Sequence, residues 1–243
     1  MWMSIQSYSA KVSGLRNLTH DVREISFALQ QPATMAFKAG QFISFEIQQE
    51  GRKFPLTRPY SIASPPSRQD SLDLLLNLVP NGPGSTYLFG LRPGDVTQFK
   101  GPAGAFYLHD DLGRDHLFVA TGTGIAPFRS MLLTLFQRGC SSSVTLIWGV
   151  RHQRDLYYMD EFEAFAAAHS NFRFVITLSR PGEGWSGNTG RVTRLIDEHI
   201  ASVDNLAVYL CGNSGMLKDV TEAVRSKGLC PIYREKFYDD PAP

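Results

Sequence analysis

Short runs in which apolar and polar residues partly alternate fill the chain from residue 8 to about residue 107. They are YSAKVSGL, VREISFAL, QFISFEIQ and SLDLLLNLV, and some are rich in β-branched and aromatic residues. Turn signals separate them at Ala39-Gly40, Glu50-Gly51, Pro65-Pro66, Asn81-Gly82 and Pro93-Gly94. About six short antiparallel strands at this spacing predict a small closed β-barrel. The segment STYLFGL, before Pro93-Gly94, predicts one short helix.

The pattern changes after residue 115. Apolar runs (HLFVAT, VTLIWGV, NFRFVITLS, LAVYLCG and a final IYREKFY) now alternate with helical patterns at 127–138, DEFEAFAAAH, VTRLIDEHI and GMLKDVTEAVRS. Strands that alternate with helices of about ten residues predict a parallel sheet covered on both faces. We therefore expect two domains: an antiparallel β-barrel over residues 1–110, then a doubly wound α/β parallel sheet over residues 111–243. Residues 109–114 are the expected linker.

Composition narrows the class of protein. The chain has 243 residues, is 43% apolar and has a net charge of +1, so it can bury a core but has no general field for nucleic acid or an anionic membrane. It contains no run of about 18 apolar residues, so no transmembrane helix is expected. The N-terminus, MWMSIQSYSAKVSG, lacks the basic and apolar regions of an export signal. We expect a cytoplasmic, monomeric protein.

The cysteines and histidines do not form a recognisable metal motif. Cys140, Cys211 and Cys230 are odd in number, widely spaced and without a C-x-x-C pair. This spacing fits a reducing compartment and excludes a zinc or iron–sulfur site of the usual kind. The six histidines are scattered without i, i+4 pairing. We expect no metal.

Two segments of the barrel half carry groups suited to an anionic, aromatic ligand. In Arg58-Pro59-Tyr60-Ser61, an extended strand would place Arg58 and Tyr60 on one face, as an anion clamp beside a stacking ring. A surface arginine next to a core tyrosine is an equal alternative. In the segment NGPGST, residues 81–86, glycines would let backbone N–H groups approach a phosphate, and Ser85 is expected at the N-cap of the short helix. The alternative is a plain turn.

Two segments of the second half would meet at one edge of the parallel sheet. The loop TGTGIAP, residues 121–127, joins the first parallel strand to its helix, at the strand ends where open α/β sheets bind ligands. Gly122 and Gly124 would admit a pyrophosphate, although Pro127 stands where the full dinucleotide fingerprint has glycine. The segment YLCGN ends a later strand, so Cys211 would lie at the same edge as Gly122. A buried cysteine acting only as a small hydrophobe is the alternative.

The motifs R-P-Y-S, G-P-G-S-T-Y-L, G-T-G-I-A-P and Y-L-C-G-N-x-x-M, with E-K-F-Y near the end, follow one another in a single order. In this order and at these distances they resemble the ferredoxin–NADP⁺ reductase superfamily, from about residue 8 to residue 238. The resemblance implies an enzyme whose barrel holds FAD and whose α/β domain holds NAD(P)H. It implies a flavoprotein reductase that passes hydride to FAD and then single electrons to an acceptor.

The resemblance also implies roles for individual residues. Arg58 would bind the flavin pyrophosphate, Tyr60 would stack on the flavin ring, and Ser61 would hydrogen-bond near flavin N5. The other flavin contacts it implies are Pro59, Asn77, Val79, Gly84, Ser85 and Thr86. The nicotinamide dinucleotide would be held by Thr121, Gly122, Gly124 and Pro127, and by Cys211 beside nicotinamide C4 with Gly212 and Met216 nearby.

Catalytic roles would then fall to Ser61, Cys211 and Glu235, with Ser61 and Glu235 the candidates for proton traffic. Phe237 matches the terminal aromatic residue that shields the flavin face. Plant-type members stop at that aromatic, whereas this chain continues through residues 238–243. Tyr238 would therefore either share the shielding role or reach the adenine side.

The nicotinamide is expected to be NADPH. Arg151, Ser179-Arg180 and Arg191 follow strand ends where the adenosine ribose should lie, and three guanidinium groups there would bind a 2′-phosphate. Pairing of Arg151 with Asp155, and the likeness of G-R-V to NADH-using oxygenase reductases, keep NADH open. Trp185 would either stack on adenine or anchor its own loop.

The sequence leaves several electron acceptors open. The sequence lacks the C-x₄-C-x₂-C spacing of a fused plant-type ferredoxin domain, so electrons would go to a separate ferredoxin or flavodoxin, or to an oxygenase component. The alternatives are an NADH-dependent oxygenase reductase, a free-flavin reductase, or a flavin-binding electron-relay or redox-sensing subunit without independent turnover. An ordinary Rossmann dehydrogenase lacks support, because no catalytic Tyr-Lys spacing is found.

Overall fold

The computed structural model describes residues 5–238. Within this range the chain divides into two compact units. Residues 5–109 and 126–138 form the first, and residues 110–125 and 139–238 form the second. No helix in the described range is both long and apolar enough to span a membrane.

The first unit is built on an antiparallel sheet of six strands in the order β4-β3-β6-β1-β2-β5. The strands are β1 Gln6–Asn17, β2 Val22–Gln31, β3 Phe42–Ile47, β4 Leu56–Ser61, β5 Ser71–Asn77 and β6 Val96–Ala103, and helix α1 is Pro83–Gly90. An antiparallel bridge between Ile62 and Leu74 joins the chain after one edge strand to the other edge strand. The sheet therefore curls back on itself, and the predicted antiparallel barrel architecture is confirmed.

Alternation of side chains along these strands explains the core of the first unit. In β3, Ile43, Phe45 and Ile47 are buried while Glu46 is exposed, which is the period of two expected of a strand with one face inside. Phe45 packs against Phe27, with ring centroids 6.2 Å apart. The core thus sits inside the curl of the sheet.

The second unit is a parallel sheet of six strands in the order β10-β9-β8-β7-β11-β12. The strands are β7 Asp115–Thr121, β8 Val144–Val150, β9 Phe172–Leu178, β10 Asn188–Thr189, β11 Leu206–Asn213 and β12 Ile232–Tyr238. The helices along this part of the chain are α2 Ile125–Gln137, α3 Met159–Ala168, α4 Val192–His199 and α5 Ser214–Arg225. Helices α4 and α5 cover one face through a shared apolar cluster, and α3 packs on the other through Phe162 and Phe174. The doubly wound prediction is confirmed.

Helix α2 packs with the first unit, and polar side chains explain why. The fully buried hydroxyl of Ser130 donates to the carbonyl of Ser64 at 2.6 Å. Arg129 donates to the carbonyl of Ala63 at 3.2 Å and lies 3.6 Å from the buried carboxylate of Asp73. Buried polar groups need partners, so these contacts fix the helix on the segment that follows β4.

Candidate functional site

Strand β4 presents the first group of predicted residues. Arg58 and Tyr60 are half-buried, whereas Pro59 between them is exposed and Ser61 after them is buried. The Tyr60 ring meets Phe45 edge-on, with centroids 5.9 Å apart, and Arg58 donates to its neighbouring carbonyl at 3.0 Å. Burial raises the pKa of Tyr60 to about 12 against the opposing charge of Arg58, so the phenol stays neutral near pH 7. One strand face thus holds a cation beside a neutral ring.

The first turn of α1 lies directly against that face. A Cβ atom built on Gly84 would be 2.5 Å from the hydroxyl of Tyr60 and 2.9 Å from Cγ of Arg58. Only glycine leaves room for this approach. The structure therefore brings together the two segments of the barrel half that sequence reasoning selected.

The prediction that Ser85 is the N-cap of this helix is wrong. The N-cap is Gly82, and Ser85 is the third residue of the helix. Pro83 suits the first helical position because its ring fixes φ there and its missing N–H is not needed, so the helix begins earlier than expected. The Ser85 hydroxyl instead accepts the N–H of Val79 at 3.0 Å and donates to the carbonyl of Gly82 at 3.1 Å.

The remaining residues predicted to contact flavin lie around this turn. Asn77 ends β5 and is half-buried, Val79 is 47% exposed, and Thr86 is exposed on α1. Within residues 77–86, Ser85 closes the turn and is buried together with Gly84, while Asn77, Val79 and Thr86 are half-buried or exposed.

The second group of predicted residues meets at the carboxyl edge of the parallel sheet. The chain order reverses between β7 and β11, which are neighbours, and a ligand site is expected at such a switch point. The loop 121–124 follows β7, and the Asn213 N–H at the end of β11 donates to Oγ1 of Thr121 at 3.4 Å. Gly122, at φ +53°, is in the left-handed region that favours glycine.

Gly124 is the point of closest approach between these strand ends. A Cβ atom built on it would lie 2.8 Å from the carbonyl carbon of Cys211 and 3.1 Å from the amide nitrogen of Gly212, and closer still to the Cys211 oxygen. Both neighbours are backbone, which yields less easily than the end of a flexible side chain. Pro127 lies three residues on, buried in α2. Packing against the end of β11 therefore requires glycine at position 124.

Cys211 and Glu235 face each other in register on β11 and β12. Burial, with the charge of Glu235 adding to it, raises the pKa of the Cys211 thiol well above its usual value. Burial also raises the pKa of the Glu235 carboxyl. Cys211 is therefore a neutral thiol near pH 7 rather than a nucleophilic thiolate. Glu235 is a carboxyl group whose protonated form is favoured relative to an exposed glutamate.

Three other predicted residues flank this edge. Met216 is buried in the first turn of α5, where its N–H donates to Oδ1 of the N-cap residue Asn213 at 2.7 Å. Gly212 has a φ of +154°, and a Cβ atom there would be 2.9 Å from Cε of Met216. Phe237 is half-buried on β12. The predicted role of the segment after Phe237 concerns the Tyr238 side chain and residues 239–243, which lie outside the described part of the chain.

The predicted arginines follow the ends of β8, β9 and β10, which are neighbouring strands of the sheet. The N–H of Arg180 donates to the carbonyl of Arg151 at 2.8 Å, and both side chains are exposed. Gly190, directly before the exposed Arg191, donates to the carbonyl of Leu178 at 2.8 Å. Ser179, also exposed, lies between these contacts, with its hydroxyl 3.5 Å from the carbonyl of Val150.

The alternative in which Arg151 pairs with Asp155 is not found. The Asp155 carboxylate accepts the N–H of His152 at 2.9 Å and lies 3.9 Å from Arg154.

The Trp185 indole N–H donates to the carbonyl of Asn188 at 3.0 Å, so Trp185 anchors its own loop. Across residues 5–238 no cluster of three histidine, cysteine or acidic side chains is arranged to hold a metal.

Sequence reasoning missed two residues at this edge. Trp148 is buried in the core, and its indole N–H donates to the carbonyl of Gly122 at 3.0 Å. The hydroxyl of Tyr157 donates to the same carbonyl at 3.1 Å. These residues lie 26 and 35 positions from the loop, and their spacing in the sequence does not indicate the contact.

Comparison with known proteins gives two domain matches. Residues 9–107 match the family described as Oxidoreductase FAD-binding domain, and residues 118–222 match Oxidoreductase NAD-binding domain. The chain is 34% identical over 228 residues to "Ferredoxin--NADP reductase B" of Sorangium cellulosum, covering 91% of this chain and 93% of that protein. It is 33% identical over 233 residues to the "Toluate 1,2-dioxygenase electron transfer component" of Pseudomonas putida, covering 95% of this chain and 67% of that one.

Solved structures have the same fold. The Amycolatopsis cytochrome P450 reductase GcoB superposes with a TM-score of 0.87 at 29% identity, over 96% of this chain and 70% of that one. A ferredoxin NADP⁺ reductase from Neisseria gonorrhoeae, solved with bound FAD and NADP, superposes with a TM-score of 0.79 at 23% identity, over 97% and 99% of the two chains. The second likeness is one of fold.

Proposed function

Because this chain belongs to the ferredoxin–NADP⁺ reductase superfamily of FAD- and NAD(P)H-dependent oxidoreductases, we propose that it takes hydride from NADPH and passes electrons singly to a separate protein acceptor. The FAD domain would span residues 1–110 and the NAD(P) domain residues 111–243. The observation that carries the proposal is the packing of each glycine motif against its partner motif: Gly84 on Arg58 and Tyr60, and Gly124 on Cys211. A monomer in the cytoplasm stays a prediction.

The residues around Gly84 fit a flavin dinucleotide. Arg58 supplies a guanidinium for the pyrophosphate, and Tyr60 supplies a neutral ring that can stack without carrying charge. Ser61, buried one position further, would orient the ring edge with its hydroxyl. When bound, FAD supplies the redox chemistry: it accepts a hydride and releases electrons one at a time.

The residues around Gly124 fit a nicotinamide dinucleotide. Glycine at this position lets the loop pack against the end of β11, and the loop lies at the amino end of α2, where backbone N–H groups would bind a pyrophosphate. Cys211 would border the nicotinamide as a small neutral group, and the raised pKa of its thiol keeps it uncharged. Glu235, beside it on β12, is the candidate for holding a proton. The protein's task is then mainly orientation.

The exposed arginines at the ends of β8 and β9 favour NADPH over NADH. A 2′-phosphate is the feature that distinguishes the two, and charge-assisted hydrogen bonds from guanidinium groups recognise it. The backbones of Arg151 and Arg180 are hydrogen-bonded to each other, so both side chains start from the same edge of the sheet. The carboxylate near these strand ends, that of Asp155, accepts the N–H of His152 at 2.9 Å and lies 3.9 Å from Arg154, so it is already engaged by other groups of the chain.

Arg180→Ala should raise the KM for NADPH about tenfold or more and leave the KM for NADH within twofold, because only the 2′-phosphate contact is lost. Steady-state rates with a dye acceptor at constant ionic strength measure both constants. Arg173→Ala removes an exposed arginine from the start of the same strand and is the matched control. An equal rise for both nicotinamides would reject the 2′-phosphate assignment.

The acceptor we favour is a ferredoxin-type protein. Support comes from the relative named as a ferredoxin--NADP reductase, of which this chain covers 93%. The chain spans only about two thirds of the relatives from oxygenase systems. An oxygenase component is the second candidate, since such relatives reach 33% identity.

The proposal is tested on the purified full chain. It should bind FAD, show a yellow flavin spectrum, and be bleached by NADPH without oxygen. Reduced protein should then transfer electrons to a ferredoxin faster than to flavodoxin or free FMN. A colourless protein that takes up no FAD would refute the proposal, and bound flavin that neither NADPH nor NADH reduces would favour the relay subunit.

A further inference from the structure

The carbonyl oxygen of Gly122 is the most heavily engaged acceptor in the nicotinamide loop. It accepts the indole N–H of Trp148 at 3.0 Å, the hydroxyl of Tyr157 at 3.1 Å and the backbone N–H of Ile125. A carbonyl oxygen has two lone pairs, so three donors saturate it. Two of the three come from buried side chains outside the loop, one on β8 and one in the segment before α3, so this contact is not part of ordinary helix geometry.

Both side chains are held rigidly. Trp148 lies on β8 in register with Ala120 of β7, and its ring meets that of Tyr157 edge-on with centroids 4.8 Å apart. Tyr157 is in turn edge-on to Tyr158, at 5.4 Å. Trp148 is fully buried and Tyr157 is 5% exposed, so their donors are directed at Gly122 by packing.

This contact sets the direction of the next N–H group. The peptide joining Gly122 to Thr123 is planar and trans, so its carbonyl and its N–H point to opposite sides. The donors Trp148 and Tyr157 hold the Gly122 carbonyl toward their own rings, so the Thr123 N–H points away from those rings. They also polarise the peptide, which strengthens that N–H as a donor.

We propose that Trp148 and Tyr157 are positioning residues of the nicotinamide dinucleotide site, which orient and polarise the Gly122–Thr123 peptide for the pyrophosphate of the dinucleotide. The inference rests on the proposed function. Two phosphate groups are then recognised by different residues. Trp148 and Tyr157 support binding of the pyrophosphate, which NADPH and NADH share, and the arginines after β8 and β9 bind the 2′-phosphate, which only NADPH has.

Tyr157→Phe tests the inference because it removes one donor and keeps the ring. Dissociation constants for NADP⁺ and NAD⁺ should both rise by the same factor, about threefold to tenfold. Binding of 2′-AMP, which carries the 2′-phosphate and no pyrophosphate, should not change. The FAD content and the maximal rate of flavin reduction at saturating NADPH should also stay as in wild type. Tyr8→Phe, at a tyrosine of the first unit that is also 5% exposed, is the control and should leave all of these constants unchanged.

A second measurement observes the Gly122–Thr123 peptide directly. In ¹⁵N-labelled wild-type protein, the Thr123 amide proton should shift downfield when NADP⁺ or NAD⁺ is added, and the shift should be smaller in Tyr157→Phe. Unchanged dissociation constants in the variant would overturn the inference, as would an equal loss of 2′-AMP binding. Failure of wild type to be reduced by either nicotinamide would instead refute the proposed function, so the two failures are distinguishable.

Discussion

Gly124→Ala should slow reduction of the flavin by NADPH about a hundredfold while FAD stays bound. The added Cβ atom would lie 2.8 Å from the carbonyl carbon of Cys211, and Cβ atoms do not approach other atoms within 3.0 Å. Both partners are backbone, so the loop or the end of β11 has to move. A displacement of about 1 Å at reacting groups is enough to cost about a hundredfold in rate. Stopped-flow absorbance of the oxidised flavin measures the rate.

The control for this variant is Gly113→Ala, in the linker. A Cβ atom there meets nothing within 4 Å, so the rate should match wild type within twofold. FAD content should equal that of wild type in both variants, because Gly124 lies in the nicotinamide loop. A Gly124→Ala protein that reduces its flavin at nearly the wild-type rate would show that the close contact with Cys211 does not set the position of the nicotinamide.

The sequence predicts those features that local periodicity and chain order determine. Alternation placed Arg58 and Tyr60 on one face of a strand, and the burial pattern of β4 agrees. The order of strands and helices placed Gly122 and Cys211 at one sheet edge, and the hydrogen bond from the Asn213 N–H to Thr121 joins the two segments there. These features depend on rules that hold for any strand or doubly wound sheet.

Other features depend on which distant segments meet, and local patterns do not contain that information. The contact of Trp148 with Gly122 follows from the register of β7 with β8, which an apolar run does not reveal. The packing of α2 in the first unit depends on Ser130, a residue type that is usually exposed but here is fully buried on the carbonyl of Ser64. Ser85 was misplaced for a smaller reason, since a proline two positions earlier moved the start of the helix.

Arg58→Ala should weaken binding of FAD about thirtyfold to a hundredfold, so that most of the protein is isolated without flavin. The guanidinium is half-buried, and the hydrogen bond it makes in the structure is to the carbonyl of Thr57, its own neighbour. Within residues 5–238 no carboxylate pairs with it, so its remaining donors are available to an anion such as the flavin pyrophosphate. Charge-assisted hydrogen bonds to a phosphate contribute about 2–3 kcal/mol, which corresponds to that loss.

Quenching of flavin fluorescence on titration of apoprotein with FAD measures the dissociation constant directly. Arg52→Ala removes an exposed arginine from the loop before β4 and should retain FAD as wild type does. Arg58→Lys should recover only part of the affinity, because an ammonium group keeps the charge and loses the fork that matches a pyrophosphate. Gly84 packs against Cγ of Arg58, and the first methylene groups of a lysine can occupy the same positions. If Arg58→Lys binds FAD as weakly as Arg58→Ala, the affinity depends on the paired N–H donors of the guanidinium and not on its charge. Wild-type affinity in Arg58→Ala would contradict the pyrophosphate role of this residue.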